Sequence, residues 1–229
     1  MREMEKGNGV TVVGLGPGRA GLITREAWQA MEEAGHLILR TRIHPTVTAL
    51  DAAGIGYETY DARYEKATNF ETLYAGIADD LAKRGKEEAV VYAVPGSPLV
   101  AERTVVLLRT AAERMGTKLA ILPGMSFLEV LCTRLAIDPI AGLTILDAEA
   151  IGDMAISPRQ ALVVTQAYDP VIASDAKLAL MAHYPDDCGI VFLHNLALPD
   201  ESIRRIPLYE LDRQKDIDHL TSVFVPAQE

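Results

Sequence analysis

Three turns built from glycine and proline hold the residues whose types and spacing suit ligand chemistry: Gly14-Leu15-Gly16-Pro17-Gly18, Pro95-Gly96-Ser97-Pro98 and Pro123-Gly124-Met125-Ser126. Each ends an apolar, strand-like run and precedes a helical pattern. In an open α/β sheet such loops lie at the carboxyl ends of parallel strands, where backbone N–H groups and helix N-termini converge on a small ligand. Two prolines hold Gly96-Ser97 extended, which is expected to leave the Gly96 and Ser97 amides for a ligand. Ser126 either caps the following helix or presents its hydroxyl to a ligand. Glycines serving only tight strand-to-helix turns are the alternative reading of the first loop.

Beside these turns stands a basic cluster, Arg40, Arg42, His44, Arg63 and Lys66, in a chain of net charge −10. It reads either as a solvated surface patch or as a clamp for a polyanion, since Arg pairs bidentately with carboxylate or phosphate. The first loop is GxGxG, with Arg19 where a dinucleotide fingerprint has its third glycine, and no acidic residue follows the second strand to hold a ribose. The Gly-Lys-Ser/Thr of a P-loop is absent from the sequence. Cys132 and Cys188 lack metal-ligand spacing and read as reduced thiols in the interior. The five histidines are scattered, so no metal is expected.

The elements that must position these groups alternate. A strand at Val10 to Val13 leads to a helix capped by Thr24, with Ala27, Trp28, Met31 and Ala34 at helical spacing. A second strand spans His36 to Leu39, Pro45-Thr46 opens a short helix through Leu50, and a weak strand lies near Tyr57 to Tyr60. The loop 61–68 precedes a helix from Phe70 to Lys83 with Leu73, Ile77 and Leu81 on one face. Ala89 to Val94 is continuously apolar, as expected of a central parallel strand covered on both faces. A helix from Val100 to Met115, a strand Leu119 to Leu122 and a helix Phe127 to Leu135 complete an α/β domain assigned to residues 9–139.

Turn residues from Ile137 to Gly142 mark the expected junction, and residues 140–229 form a second domain. Its strands are expected at Leu143 to Leu146, Ala161 to Gln166, Ile190 to His194, Ile203 to Ile206 and Ser222 to Val225, with a helix from Val171 to His183. The short turn Leu198-Pro199-Asp200-Glu201 predicts a hairpin, so this sheet is mixed.

At 229 residues, 49% apolar and 24% charged, the chain has the composition of a folded globular protein with one or two domains. Its negative charge opposes nucleic-acid binding. No stretch is long and apolar enough to span a bilayer, and Met1 to Lys6 lacks the apolar core of a signal peptide, so no membrane association and a cytoplasmic location are expected.

Taken as a set, Val12-Val13-Gly14-Leu15-Gly16-Pro17-Gly18, Tyr92-Ala93-Val94-Pro95-Gly96-Ser97-Pro98 and Leu122-Pro123-Gly124-Met125-Ser126-Phe127 resemble the tetrapyrrole (corrin/porphyrin) methylase family. Further stretches, Arg40-Thr41-Arg42-Ile43-His44-Pro45, Tyr64-Glu65-Lys66, Tyr209-Glu210-Leu211-Asp212-Arg213 and Leu220-Thr221-Ser222-Val223-Phe224-Val225-Pro226, are similar to the YabN-type subgroup. There a methylase-like domain precedes a MazG-type nucleoside triphosphate pyrophosphohydrolase, whose carboxylate cluster is not in this sequence.

The resemblance implies two α/β domains with a ligand cleft between them, usually a homodimer, and S-adenosylmethionine as cofactor. By motif position, Leu15, Gly96, Ser97, Val100, Ala101, Ser126 and Phe127 are expected to line the cofactor, with Tyr168, Thr221 and Ser222 from the second domain. Many members carry Gly-Asp-Pro where this chain has Gly96-Ser97-Pro98, so a hydroxyl stands in for a carboxylate. Arg40, Arg42, His44, Arg63 and Lys66 are candidates for holding a carboxylated small-molecule acceptor, and Tyr64 and His44 for a general base. The implied activity is methyl transfer; the rival is a noncatalytic regulatory or dimerisation module partnered with a MazG-type enzyme.

Overall fold

A computed structural model describes residues 7–228. Met1 to Lys6, on which the expectation about a signal peptide rests, lie outside the described residues. The chain divides into two compact units, residues 1–129 and 130–229, with the division falling inside a helix.

The first unit is an α/β sandwich. Its strands are β1 (Gly9–Gly14), β2 (His36–Leu39), β3 (Glu58–Thr59), β4 (Ala89–Val94) and β5 (Leu119–Ile121), in the order β3-β2-β4-β1-β5 with every pair parallel. Its helices are α1 (Arg25–Glu32), α2 (Val47–Ala52), the one-turn α3 (Asp61–Tyr64), α4 (Phe70–Glu87), α5 (Arg103–Met115) and α6 (Phe127–Leu135), the last crossing the division.

The continuous apolar run of β4 puts it in the middle of the sheet, as expected. Val90, Tyr92 and Val94 pack on Ile77, Leu81, Val105 and Leu108 of α4 and α5. Val91 and Ala93 face the other way, onto Ala27, Met31, Val47 and Leu50 of α1 and α2. A parallel strand between two helical layers has no solvent face, which is why no polar residue interrupts it.

Two local expectations are corrected. Residues 61–64 are helical rather than loop, because Tyr60 opens a turn in which its carbonyl accepts from the N–H groups of Arg63 and Tyr64 at 2.8 and 3.3 Å. Helix α5 begins at Arg103 rather than Val100: Ala101 is left-handed (φ 55) and Glu102 is the cap, accepting the Thr104 N–H at 3.1 Å. Thr24 caps α1 as expected, accepting from Ala27 at 3.2 Å.

The second unit holds β6 (Leu143–Asp147), β7 (Ala161–Thr165), β8 (Gly189–His194), β9 (Ser202–Pro207) and β10 (Thr221–Val225), with α7 (Pro170–Met181). The order is β6-β7-β10-β8-β9; β6 and β7 are parallel and the other pairs antiparallel. The hairpin predicted at Leu198 to Glu201 joins β8 to β9, with His194 opposite Ser202. Ala176 and Leu180 of α7 cover Leu162, Val164, Phe192 and Val223. Cys188 is buried just before β8, whereas Cys132 on α6 is half-buried rather than interior; neither is in a disulfide. No helix among the described residues is long and apolar enough to cross a membrane.

Candidate functional site

The first loop leaves β1, the strand next to the centre of the parallel sheet. The Leu15 N–H donates to the Val94 carbonyl at 2.8 Å, which continues the β1–β4 ladder past the strand ends. Gly16 and Gly96 then form an isolated antiparallel bridge: the Gly16 N–H donates to the Gly96 carbonyl at 3.1 Å and the Gly96 N–H to the Gly16 carbonyl at 2.9 Å. The Gly96 amide is therefore committed to the first loop and not available to a ligand, a correction to the expectation from its flanking prolines. Both glycines are left-handed, with φ 73 and φ 65.

Thr46, fully buried, directs its hydroxyl at the carbonyls of Leu15 (3.0 Å) and Gly18 (2.8 Å), tying the first loop to the start of α2. The Leu15 side chain is itself core, so any ligand contact from Leu15 comes through its backbone.

The second and third loops close on the first at glycines. A Cβ on Gly14 would stand 2.3 Å from the Gly96 carbonyl oxygen, and one on Gly124 would stand 2.8 Å from Pro98 Cδ and 3.2 Å from Ser97 Cα. A Cβ on Gly96 would meet nothing within 4 Å, so that side of the loop opens to space. The Gly14, Gly96–Pro98 and Gly124 turns thus form one packed platform.

Within it Ser97 is 9% exposed, and its carbonyl accepts the Val100 N–H at 3.2 Å. Among the described residues neither its amide nor its hydroxyl has a hydrogen-bond partner. Val100 is half-buried and Ala101 exposed at the far end of this loop.

In the third loop Ser126 is a helix cap. Its hydroxyl donates to a Glu129 carboxylate oxygen at 2.6 Å and accepts the Leu128 N–H at 3.1 Å, while its own N–H donates to the same Glu129 oxygen at 2.7 Å. Of the two fates left by the sequence, the structure selects capping, and the reciprocal Ser-x-x-Glu box is the local signal for it. Phe127 opens α6, half-buried beside it.

The basic residues part company. Arg40 follows β2 and turns inward, its Nη1 donating to Glu102 at 2.8 Å and its Nε to the Tyr64 hydroxyl at 2.8 Å. Burial opposes its charge, but Glu102 and then Tyr64 outweigh it and hold the guanidinium above its ordinary value. Arg63 pairs with Asp80 at 3.1 Å and lies over the Tyr60 ring. Arg42 and Lys66 are exposed and form no ion pair among the described residues. The cluster is thus two internally neutralised arginines and two solvent-facing cations, not a five-membered clamp.

His44 and Tyr64 lack the properties of a general base. Burial pushes the His44 imidazole down to about 4, only partly offset by a backbone hydrogen bond with Gly16, and Nδ1 accepts the Thr46 N–H at 3.3 Å. The ring is a neutral strut under the first loop. Burial raises the Tyr64 phenol, partly opposed by Arg40, so at neutral pH it keeps its proton.

In the second unit, Thr221 and Ser222 are buried at the start of β10, with Thr221 opposite His194. Tyr168 follows the carboxyl end of β7, after left-handed Gln166 (φ 62), and is 40% exposed. Its hydroxyl donates to Glu149, which pushes the phenol up to about 12. The three residues share one end of the second sheet.

The sequence pattern of the tetrapyrrole (corrin/porphyrin) methylases matches residues 9–212. The chain belongs to this family. It is 39% identical over 217 residues to the uncharacterized protein YabN of Bacillus subtilis (strain 168), a match covering 95% of this chain and 44% of the relative. The chain therefore spans less than half the length of that curated relative.

Among solved structures, the uroporphyrin-III-C-methyltransferase of Thermus thermophilus has a TM-score of 0.72 at 20% identity, covering 96% of this chain and 92% of that one. The precorrin-6Y methylase of Archaeoglobus fulgidus has a TM-score of 0.72 at 20% identity, covering 97% and 100%. A diphthine synthase has a TM-score of 0.67 at 18% identity, covering 95% and 89%. At these identities the structures share the fold. Members of the family are methyltransferases that use S-adenosylmethionine.

Glu102 and Thr46 are the residues of this platform that sequence reading passes over. Glu102 lies where the helical pattern runs on without a break, and Thr46 registers only as a residue that opens α2.

Proposed function

We propose that this chain is an S-adenosylmethionine-dependent methyltransferase that binds its cofactor on the Pro95–Ala101 loop and acts on an anionic small molecule. The observation that carries this reading is Ser97. Its amide and hydroxyl make no hydrogen bond among the described residues, in a loop otherwise locked by the Gly16–Gly96 bridge, and free polar groups in such a place fit a polar ligand. The open face of Gly96 admits that ligand to the backbone.

The cofactor, when bound, supplies an activated sulfonium methyl group for in-line displacement. What falls to the protein is orientation and exclusion of water, which needs no catalytic triad. Ser97 donates through its N–H and hydroxyl, the Leu15 backbone and Phe127 flank it, and the glycine contacts keep the platform rigid. Arg42 and Lys66 remain for an acidic acceptor, and a carboxylated tetrapyrrole is the class that the family relation supports.

Titration calorimetry with S-adenosylmethionine and S-adenosylhomocysteine tests the reading. Binding heat together with a thermal shift is expected; neither at millimolar ligand refutes it.

The relative's greater length favours one further reading, a noncatalytic module that acts with a MazG-type pyrophosphohydrolase. It predicts no cofactor binding and a changed pyrophosphohydrolase rate when the two are mixed.

A further inference from the structure

The Glu102 side chain is 2% exposed and Arg40 reaches it with 25% of its own side chain exposed, so their contact is the most deeply buried charge pair among the described residues of the first unit. Burying a carboxylate is costly unless each oxygen is answered. Here both are: Oε1 accepts the Thr104 N–H at 3.1 Å and Oε2 accepts Arg40 Nη1 at 2.8 Å.

Glu102 sits directly after the Pro95–Ala101 loop, next to left-handed Ala101, a conformation that an alanine holds only when its neighbours impose it. The loop is pinned at its front by the Gly16–Gly96 bridge and is followed at its rear by the Glu102 cap. Arg40 is equally fixed. Its N–H donates to the Ala93 carbonyl at 2.8 Å, its Nε to Tyr64, and its guanidinium lies 5.6 and 5.8 Å from the rings of Tyr64 and Tyr74.

We propose that Arg40 and Glu102 are positioning residues: a buried latch that sets the rear of the 95–101 loop and so places Ser97 for the cofactor. The latch rests on the cofactor reading above. It assigns Arg40 to holding the loop and not to holding the acceptor, and it couples the 61–64 helix, through Tyr64, to the cofactor platform.

The test compares Arg40→Met, Glu102→Gln and the double variant in two measurements: amide hydrogen exchange over residues 96–102 without ligand, and affinity for S-adenosylhomocysteine. Arg40→Met strands a buried carboxylate, so exchange at Val100 to Glu102 is expected to rise about tenfold while β4 stays protected, with affinity falling about tenfold. The double variant removes both charges, keeps an amide oxygen for Thr104, and is expected to recover to within about threefold of wild type, a coupling that loss of packing does not produce.

Arg40→Lys keeps the charge and loses the fork; it is expected to fold and to fall between wild type and Arg40→Met, and it serves if Arg40→Met does not fold. Unchanged loop exchange in Arg40→Met or Arg40→Lys, or strictly additive losses in the double variant, overturns the latch. Loosened exchange in a protein that binds no S-adenosylhomocysteine upholds the latch's hold on the loop and overturns the cofactor reading instead.

Discussion

Gly16 and Gly96 lie 80 residues apart in sequence numbering, yet their backbones exchange both hydrogen bonds, at 3.1 and 2.9 Å. That exchange joins the loops leaving two adjacent parallel strands, β1 and β4, beyond the end of their ladder. The same approach explains why position 14 is glycine, since a side chain there would run into the Gly96 carbonyl oxygen.

Gly14 gives the sharpest test of this packing. A methyl group there meets the Gly96 carbonyl oxygen at 2.3 Å, and backbone on both sides leaves little to yield. Gly14→Ala is expected to destabilise the first unit by about 1–3 kcal/mol, the range for overpacking. Gly21→Ala is the control, since a Cβ at Gly21 meets nothing within 4 Å. Urea denaturation should separate the two; equal midpoints would mean that the loops are not packed as described.

Thr46 holds the same loop from the other side. Thr46→Val keeps the shape and deletes the hydroxyl that serves Leu15 and Gly18, leaving those carbonyls without their donor. The expected cost is about 1–3 kcal/mol. Thr46→Ser, which retains the hydroxyl, should recover most of it. A Thr46→Val variant as stable as wild type, with the loss seen in Thr46→Ser instead, would assign the role of Thr46 to its methyl group.

The frame was legible where one strand or one turn carries its own signal. The unbroken apolar run Ala89 to Val94 placed β4 in mid-sheet, and Leu198 to Glu201 marked a hairpin. The Gly/Pro loops identified the platform. Hidden were the features set by distant partners. Leu99, Val100 and Ala101 extend the apolar pattern of α5 backwards, and only Glu102's contact with Arg40, 62 positions away, shows why the helix starts later. The Gly96 amide looked available because prolines flank it, and its partner Gly16 is visible only once β1 and β4 are adjacent. The charges of Arg40 and Arg63 were legible, but their neutralisation by Glu102 and Asp80 was not.

His44 gives a prediction in pH. Its imidazole is held at about 4 from an ordinary 6.5, so the folded chain declines a proton that the unfolded chain accepts. Stability from this group is complete above about pH 6.5 and is lost as pH falls towards 4, by about 1–3 kcal/mol in all. His44→Gln removes the titrating ring. The wild-type stability curve should therefore drop more steeply than the variant's between pH 6.5 and 4, measured by denaturant titration at each pH. Parallel curves would show that the ring titrates normally.

Ser97 separates binding from stability. Its hydroxyl has no partner among the described residues, so Ser97→Ala is expected to leave the unfolding free energy within about 0.5 kcal/mol of wild type. One hydrogen bond lost to a ligand is worth about 1 kcal/mol, or about fivefold in affinity for S-adenosylhomocysteine. Ser97→Pro deletes the N–H as well and should weaken binding further. Because the two bonds come from one residue, the second loss should exceed the first only if the amide also faces the ligand. Calorimetry on the pair reads this directly, and wild-type affinity in both variants would move the cofactor off this loop.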